Sequence, residues 1–239
     1  LRDEWRVYGQ VRAPFLPRVL GWDDGQRTGD PPLLVLEDLS GAFWPPPWTA
    51  ERVGLVRVAL AQVAATPPPP GLPEMEAFRE ELTGWVRVAA DPAPFLALGL
   101  CAPAWLAAAL PTLLRAEAAV VLAGEGLAHL DVRSDNICFV ADGGGGERAV
   151  LVDWNWACRG NPRVDVAAWL PSLRAEGGPA PEAVLPGEPE LAACMSGFFA
   201  SRAGLPGSAS LRALQRRQLE TALPWASLAL GLPPPVPAA

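Results

Sequence analysis

Apolar positions near the start of the chain predict one helix followed by two short strands. From residue 1 to about residue 11 they recur at helical spacing, and Pro14 then ends the helix. Apolar runs at 18–22 and 33–36 are too short for helices, and a turn-rich loop separates them. We therefore expect both runs to be strands.

Most of the remaining chain is predicted to be helical. Thr49 is a favourable N-cap residue, and a helical pattern follows it over 52–65. Further helical patterns cover 74–90, 103–123 and most of the sequence after residue 166. Helices therefore dominate the second half of the fold.

One more strand region interrupts these helices. The β-prone runs 137–140 and 149–152 flank the glycine tract Gly143–Gly146, which predicts a hairpin with a flexible tip. The tract lacks the G-K-[ST] and the following helix of a phosphate-binding loop, so we do not assign it that role. The combined pattern indicates an α+β fold.

One uncharged stretch, Ala93–Leu114, is long enough to span a bilayer. Pro94, Pro103 and Pro111 interrupt it, and it lacks aromatic and basic flanks. We therefore interpret it as buried helical structure and predict no membrane partner.

Composition narrows the possible partners and the compartment. The 239 residues are 50% hydrophobic and 19% charged, which is typical of a globular protein. A net charge of −7 argues against nucleic acid, because its binding requires a basic surface. The four cysteines form no C-x-x-C pair and are expected to be free thiols, which favours a reducing, cytoplasmic compartment.

Three oxygen-bearing side chains surround the predicted hairpin. Asp131 and Asn136 lie just before its first strand, and Asp153 follows its second strand. A hairpin brings these strand ends together, and carboxylate and amide oxygens suit a hard cation such as Mg²⁺. One carboxylate would remain to accept a proton from a hydroxyl. Taken singly, each residue could instead be an ordinary turn or strand-end residue.

The wider motif resembles a known superfamily. H-L-D-V-R-S-D-N at 129–136 and L-V-D-W at 151–154 resemble the catalytic loop and metal-binding Asp of the protein-kinase-like superfamily. The closer resemblance is to the aminoglycoside phosphotransferase-like family, whose G-x-P-x-x-D-hydrophobic-A signature is matched at 160–167. This resemblance implies a two-lobe kinase-like fold with a predominantly helical C-terminal lobe.

The resemblance also implies roles for individual residues. Asp131 would orient the substrate hydroxyl and accept its proton, while Asn136 and Asp153 would hold the Mg²⁺ that bridges the phosphates of ATP. Arg133 would stabilise charge on the transferring group, although an ordinary surface ion pair is an equal interpretation. The family would therefore place catalysis and metal binding on four residues of this chain.

Supporting roles follow from the same resemblance. His129 would brace the loop beneath the metal site, and Asp165 would hydrogen-bond the backbone of the catalytic loop. Glu4 resembles the helix glutamate that pairs with the family's phosphate-binding lysine. This chain has no lysine, since all 19 basic residues are arginines.

The run 33–36 resembles the strand that leads into the hinge between the two lobes. The backbone groups of the next three residues would contact the adenine; these are Glu37, Asp38 and Leu39. On this interpretation residues 1–40 are the remnant of a truncated N-terminal lobe with the hinge, residues 41–232 the C-terminal lobe, and residues 233–239 a disordered tail. The family's glycine-rich hairpin and lysine strand are missing before Glu4, so we expect a fragment.

The predicted function is an ATP- and Mg²⁺-dependent transfer of phosphate to the hydroxyl of a small molecule. An aminoglycoside-like, amino-alcohol or sugar acceptor fits equally well. A cationic acceptor would dock on acidic residues of the C-terminal helices, such as Glu182, Glu188 and Glu190. The alternative is a non-catalytic, pseudokinase-like binding or regulatory protein, favoured by the missing lysine.

Overall fold

The computed structural model describes residues 1–27 and 29–236, which fold into two compact units. The first unit comprises Leu1–Glu76 and Ala123–Trp169. The second comprises Ala77–Leu122 and the chain from Leu170 onward. The predicted lobe boundary after residue 40 stays a prediction, because compactness alone does not define a kinase lobe.

The first unit combines helices with three small antiparallel sheets. The sheets pair β1 with β2, β3 with β6, and β4 with β5. In chain order the elements are α1 (Arg2–Tyr8), β1 (Val19–Asp23), β2 (Leu33–Leu36), α2 (Ala50–Ala65), β3 (Gly126–Ala128), β4 (Ile137–Ala141), β5 (Glu147–Leu151), β6 (Cys158–Gly160) and the start of α7 (Arg163–Ala175).

Helix α2 begins where its sequence predicts. The Thr49 hydroxyl accepts a hydrogen bond from the Arg52 backbone N–H at 3.2 Å, which satisfies one of the unpaired N–H groups of the first turn. Its buried residues include Val56 and Val63, which are 0% and 1% exposed. The predicted strand at 33–36 and the predicted hairpin are also confirmed, since β4 and β5 pair with Ile137 opposite Leu151.

The second unit is helical. Its further helices are α3 (Arg79–Leu82), α4 (Trp85–Ala90), α5 (Ala93–Leu96), α6 (Pro103–Ala119), α8 (Pro181–Val184), α9 (Pro189–Ala200) and α10 (Ala209–Ala229). Helix α9 is buried along most of its length and packs against α6 and α10. Within the described ranges, no helix combines the length and apolarity needed to cross a bilayer.

The predicted single helix over 74–90 is wrong. A 3-10 turn at Met75–Phe78 and the short α3 precede a break at Thr83, whose backbone is extended, before α4 begins. The break persists because Glu117 of α6 accepts the backbone N–H groups of Gly84 and Trp85 in place of an intrahelical carbonyl.

The pattern also missed two strands. β3 and β6 have three residues each and both contain glycine, so neither shows the alternation that marks a strand. All four cysteines are buried free thiols, as predicted. The Ala102 N–H donates to the Val236 carbonyl at 2.8 Å. The rest of the predicted tail, 237–239, lies outside the described residues.

Candidate active site

The β4–β5 hairpin brings the two ends of the motif together. Its register pairs Ile137 with Leu151, so Asn136 and Val152 are the next residues on either side. The Val152 N–H donates to the Asn136 carbonyl at 3.0 Å. Asp153 therefore leaves the hairpin beside Asn136, although 17 positions separate them in the sequence.

Asn136 is fixed by the residue that opens the loop. It is 5% exposed and ends a 3-10 turn, and its Nδ2 donates to the Asp131 carbonyl at 2.9 Å and to Asp131 Oδ2 at 3.1 Å. These bonds identify the amide nitrogen, so the other amide atom is the acceptor oxygen. Oδ1 of Asn136 makes no hydrogen bond within the described part of the chain and is available as a ligand.

Asp131 lies among opposing electrostatic influences. Burial raises its pKa, the Arg133 guanidinium lowers it, and the neighbouring carboxylates of Asp135 and Asp153 raise it again. The net direction is upward from the ordinary value. Its side chain is still 27% exposed, so the carboxylate is accessible to a small molecule. A half-buried carboxylate with a raised pKa is suited to proton transfer.

Asp153 adopts a backbone conformation that is uncommon for a non-glycine residue, with φ 64°. Asn155 Nδ2 donates to its Oδ1 at 2.6 Å, which holds the carboxylate close to the turn. The Val152–Asn136 backbone bond places it beside Asn136, whose amide in turn bonds Asp131. Asp131, Asn136 and Asp153 are therefore gathered in one place.

Arg133 lies between two carboxylates of the same loop. Its Nη2 is 3.0 Å from Asp135 Oδ2, and its Nε is 3.2 Å from Asp131 Oδ1. The Nε atom is buried and makes no hydrogen bond, so the contact with Asp131 is an ion pair without hydrogen-bond geometry. Arg133 thus lies beside Asp131 and also forms a surface ion pair with Asp135.

A buried network supports the loop from below. Asp165 accepts the His129 N–H at 2.7 Å and the Leu130 N–H at 2.8 Å, and Leu130 has φ 60°. His129 Nδ1 accepts the Asp131 N–H at 3.2 Å, so its Nε2 is the protonated nitrogen that donates to the Val152 carbonyl at 2.9 Å. The His129 ring thus links the backbone of Asp131 to that of Val152, the residue before Asp153.

The imidazole in this network is neutral. His129 is completely buried, and desolvation lowers its pKa to about 4. Burial also raises the pKa of Asp165 to about 6, against the opposing effect of its two backbone donors. His129 therefore carries no charge at neutral pH and holds the loop through its two ring nitrogens.

Tyr8 is a site residue that the sequence analysis did not identify. It is 1% exposed, and Asp153 lies close enough to its hydroxyl to influence its pKa. Burial and the nearby Glu4 raise its pKa, so the phenol stays protonated. The only signal in the sequence is the helical spacing of Glu4 and Tyr8, four positions apart, which places both on one face of α1.

Glu4 itself is buried at 8% exposure on α1. Its Oε2 lies 3.3 Å from the amino nitrogen of Leu1. It lies one helical turn from Tyr8 on α1 and raises the pKa of that phenol. No hydrogen bond joins it directly to Asp131 or Asn136 within the described ranges.

The three hinge candidates follow β2 and are partly engaged by their own neighbours. Glu37 bonds twice with the backbone of Arg18, donating its N–H at 2.9 Å and accepting the Arg18 N–H on its side chain at 2.8 Å. The Asp38 carboxylate accepts both the N–H and the hydroxyl of Ser40. The Leu39 carbonyl accepts the Ala42 N–H at 3.0 Å. Within residues 1–27 and 29–236 the Glu37 carbonyl and the Leu39 N–H make no hydrogen bond, so both are open to a ligand.

The acidic residues predicted to dock a cationic acceptor belong to the second unit. Glu182 lies in α8, Glu188 precedes α9, and Glu190 is in its first turn. No group of three or more His, Cys, Asp or Glu side chains with metal-binding geometry occurs among residues 1–27 and 29–236. The hairpin site has two carboxylates and one amide, a set that Mg²⁺ binds together with water and phosphate oxygens.

Comparison with known proteins agrees with the motif. A search of curated proteins found no match. A family model described as "Phosphotransferase enzyme family" (APH) matches residues 1–185, which include every motif residue from Asp131 to Asp165. The match covers more than half of the chain, so this protein belongs to the APH phosphotransferase enzyme family.

Proposed function

We propose that this protein transfers the γ-phosphate of ATP to a hydroxyl group of a small molecule, in an Mg²⁺-dependent reaction. Membership of the phosphotransferase family supports the reaction class. The observation that carries the assignment to residues is the position of the Asn136 amide. Asp131 holds its nitrogen at 2.9 and 3.1 Å, which leaves its oxygen available beside Asp153.

The available donor atoms fit a hard divalent cation. Oδ1 of Asn136 and the Asp153 carboxylate are oxygen ligands, and both ring nitrogens of the neighbouring His129 are already engaged by the backbone. When bound there, Mg²⁺ would neutralise charge on the phosphates of the nucleotide. Asn155 holds the Asp153 carboxylate against the turn by donating to its Oδ1.

Asp131 is the residue that would act on the acceptor. Its accessible carboxylate would orient the acceptor hydroxyl and take its proton as the oxygen attacks phosphorus. Arg133 lies beside it and would stabilise the negative charge of the transferring group. The available Glu37 carbonyl and Leu39 N–H would bind the adenine edge, while the side chains of Glu37 and Asp38 are occupied by the protein itself.

The acceptor remains a class rather than one compound. A hydroxylated molecule with an amino group suits the net charge of −7. An amino alcohol, a sugar and an aminoglycoside all meet this description. We also place the reaction in the cytoplasm, where ATP and reduced thiols occur together.

A non-catalytic role is the second candidate. It is favoured by the absence of lysine from these 239 residues, whose 19 basic residues are all arginines. A pseudokinase of this kind would keep the supporting network of His129 and Asp165 without turning over nucleotide. The same assay separates the two candidates.

The direct test is phosphoryl transfer from labelled ATP to a panel of amino alcohols, sugars and aminoglycosides, with and without Mg²⁺. Asp131→Asn should lower turnover by about a thousandfold with unchanged circular dichroism, because it removes the proton acceptor. Asp142→Asn, at the exposed hairpin tip, is the matched control and should retain wild-type turnover. Normal turnover by Asp131→Asn would contradict the assigned role.

Two further variants separate binding from chemistry. Asp153→Asn should abolish the Mg²⁺-dependent part of ATP binding in calorimetry. Arg133→Gln should move the acid limb of the pH–rate profile upward, because Arg133 lowers the pKa of Asp131. ATP binding without turnover on any acceptor would instead favour the non-catalytic candidate.

A further inference from the structure

The chain leaves helix α10 in a direction that the last residues of the helix fix. Gly231 has φ 64°, its N–H donates to the Leu228 carbonyl at 3.2 Å, and the Leu232 N–H donates to the Ser227 carbonyl at 2.8 Å. These two bonds form a Schellman motif, in which a left-handed glycine ends a helix. The segment that follows, 233–236, therefore starts from a rigid helix end.

Proline dominates this segment, which we call the strap. Residues 233–235 are Pro-Pro-Pro, Val236 follows, and none of the four lies in a helix or a strand. Each proline ring fixes φ at about −65° and keeps the residue before it out of the helical region, so the sequence favours a polyproline II conformation. That conformation has about three residues per turn, which places Pro233 and Val236 on the same side.

Helix α6 contacts the strap at these two positions. Trp105 Nε1 donates to the Pro233 carbonyl at 2.8 Å, and the Ala102 N–H donates to the Val236 carbonyl at 2.8 Å. Ala102 is the N-cap residue of α6, and Trp105 lies in its first turn. The spacing of the two donors along the sequence equals that of the two acceptors, so one end of α6 binds one side of the strap. Both partners belong to the second unit.

These contacts have the chemistry of polyproline recognition. Proline has no N–H, so a proline-rich segment offers a binding surface only carbonyl oxygens and ring faces. Proteins that bind such segments use aromatic side chains, and an indole combines an apolar ring with an N–H donor. Trp105 supplies that donor, and its side chain makes no other hydrogen bond within residues 1–27 and 29–236.

The strap is held by little besides these two bonds. Pro233 and Pro234 are exposed, and Val236 is 62% exposed. Residues 232–236 carry no charged side chain, so no ion pair holds them. Hydrogen bonds at an exposed site compete with water, and each adds little net stability. The strap can thus leave α6 without disturbing the buried core.

We propose that Ala102 and Trp105 form a docking surface for proline-rich segments, and that the strap occupies this surface reversibly. When the strap leaves, a proline-rich peptide with the same spacing of carbonyls binds in its place. The partner is an uncharged sequence of the Pro-Pro-Pro-Val type, and the strap acts as a built-in competitor. This proposal does not depend on the phosphotransfer reaction.

The alternative interpretation is a permanent seat for this segment. The strap would then be a fixed part of the fold, and an added peptide would not displace it. Displacement by a separate peptide distinguishes the two interpretations. Because the strap is tethered to α10, its effective concentration at the surface is on the order of 1 mM, so a peptide must compete at millimolar concentrations.

The experiment labels the full chain at Val236→Cys with bimane, a dye that indoles quench on contact. The side chain at this position is exposed, the backbone carbonyl is retained, and the four native cysteines are buried. A peptide with the sequence of residues 231–239 should raise the emission severalfold and saturably, with half of the effect at about 1 mM. A peptide with alanine in place of each proline loses the preformed conformation and should require about tenfold more.

Variants of the chain test the surface by hydrogen exchange at the Ala102 N–H, whose acceptor is the Val236 carbonyl. Trp105→Phe keeps an aromatic ring but removes the donor, so exchange should be about fivefold faster. Trp44→Phe is the matched control, because the Trp44 indole also donates to a carbonyl but lies in the first unit. It should leave this exchange rate unchanged.

Pro234→Gly provides a variant that does not touch α6. It loosens the strap at an exposed position, so it should speed exchange at Ala102 and lower the peptide concentration for half displacement severalfold. Emission that stays unchanged up to about 10 mM peptide, ten times the effective concentration of the strap, would overturn the proposal. Equal responses to the two peptides, or unchanged exchange in both Trp105→Phe and Pro234→Gly, would do the same.

Discussion

Asp165 in the first unit and Glu117 in the second are buried carboxylates with the same local contacts. They are 1% and 2% exposed. Asp165 accepts the N–H groups of His129 and Leu130 at 2.7 and 2.8 Å. Glu117 accepts those of Gly84 and Trp85 at 2.7 and 2.9 Å. Burial raises the pKa of Asp165 to about 6 and that of Glu117 to about 7.

The difference lies in what their backbone partners support. The backbone partners of Asp165 lead directly to Asp131, and one of them, Leu130, has φ 60°. Asp153, in the turn after β5, has φ 64°. The backbone partners of Glu117, Gly84 and Trp85, begin α4. The described residues of the second unit contain no non-glycine residue with positive φ. A buried carboxylate therefore does not identify a site by itself. Positive φ angles beside an accessible carboxylate are what distinguish the Asp131 region from the surroundings of Glu117.

The largest expected effect is common to both carboxylates. Glu117→Ala and Asp165→Ala should each lower the free energy of unfolding by about 4 kcal/mol, because two buried N–H groups lose a charged acceptor. Urea unfolding at pH 8, where both carboxyl groups are ionised, measures this. A loss below about 1 kcal/mol for Glu117→Ala would mean that water replaces its carboxylate. Glu117 and Asp165 would then not be equivalent in stabilising the fold.

The two carboxylates should also give the protein an unusual pH dependence. A carboxyl group whose pKa is raised on folding stabilises the protein fully at pH values below its unfolded pKa, which is 4.5 for Glu117. This contribution, about 3 kcal/mol for Glu117, is lost as the pH rises to about 7. For Asp165 the window runs from 3.8 to about 6. Urea titrations across this range should show stability falling with pH, and Glu117→Gln should flatten the upper part. An unchanged slope in that variant would assign the dependence to other groups.

Activity should separate the two residues. Asp165→Asn keeps the size of the side chain but puts an amide N–H against a backbone donor, so the loop that carries Asp131 shifts and turnover falls about 100-fold. Glu117→Gln makes the same chemical change beside α4 and should leave turnover per folded molecule within about threefold. Turnover of the folded fraction is the measurement, and equal losses in both variants would remove the distinction.

The smallest expected effect tests the strain itself. At φ 60°, Leu130→Gly should be more stable than Leu130→Ala by about 1 kcal/mol, because only the second keeps a Cβ in the left-handed region. At an ordinary helical position in the second unit, such as Val86, the order should reverse by a similar amount. Paired thermal or urea unfolding decides the sign at each position.

Local features of this fold could be predicted from sequence, and features made by distant contacts could not. The β4–β5 hairpin and the N-cap at Thr49 depend on neighbours in the chain, so their patterns predicted them. The break before α4 depends on Glu117, which lies 33 residues away from Gly84. No local pattern could show it.

The candidate site divides in the same way. Asp131, Asn136 and Asp153 stand in a recognisable order, so the motif identified them before their contacts were known. Tyr8 was missed because its proximity to Asp153 joins positions 145 residues apart. A tyrosine on an apolar helix face is indistinguishable from a core residue until the fold is known.

The stacked indoles of Trp5 and Trp22 offer a spectroscopic consequence. Their ring centroids are 4.7 Å apart and their planes differ by 6°, and they join α1 to β1. Chromophores this close couple their electronic transitions, so the pair should produce a circular dichroism couplet that vanishes when the helix moves away. Because Glu4 and Tyr8 lie on the same helix, this optical signal would report in real time whether α1 stays in place as a nucleotide binds.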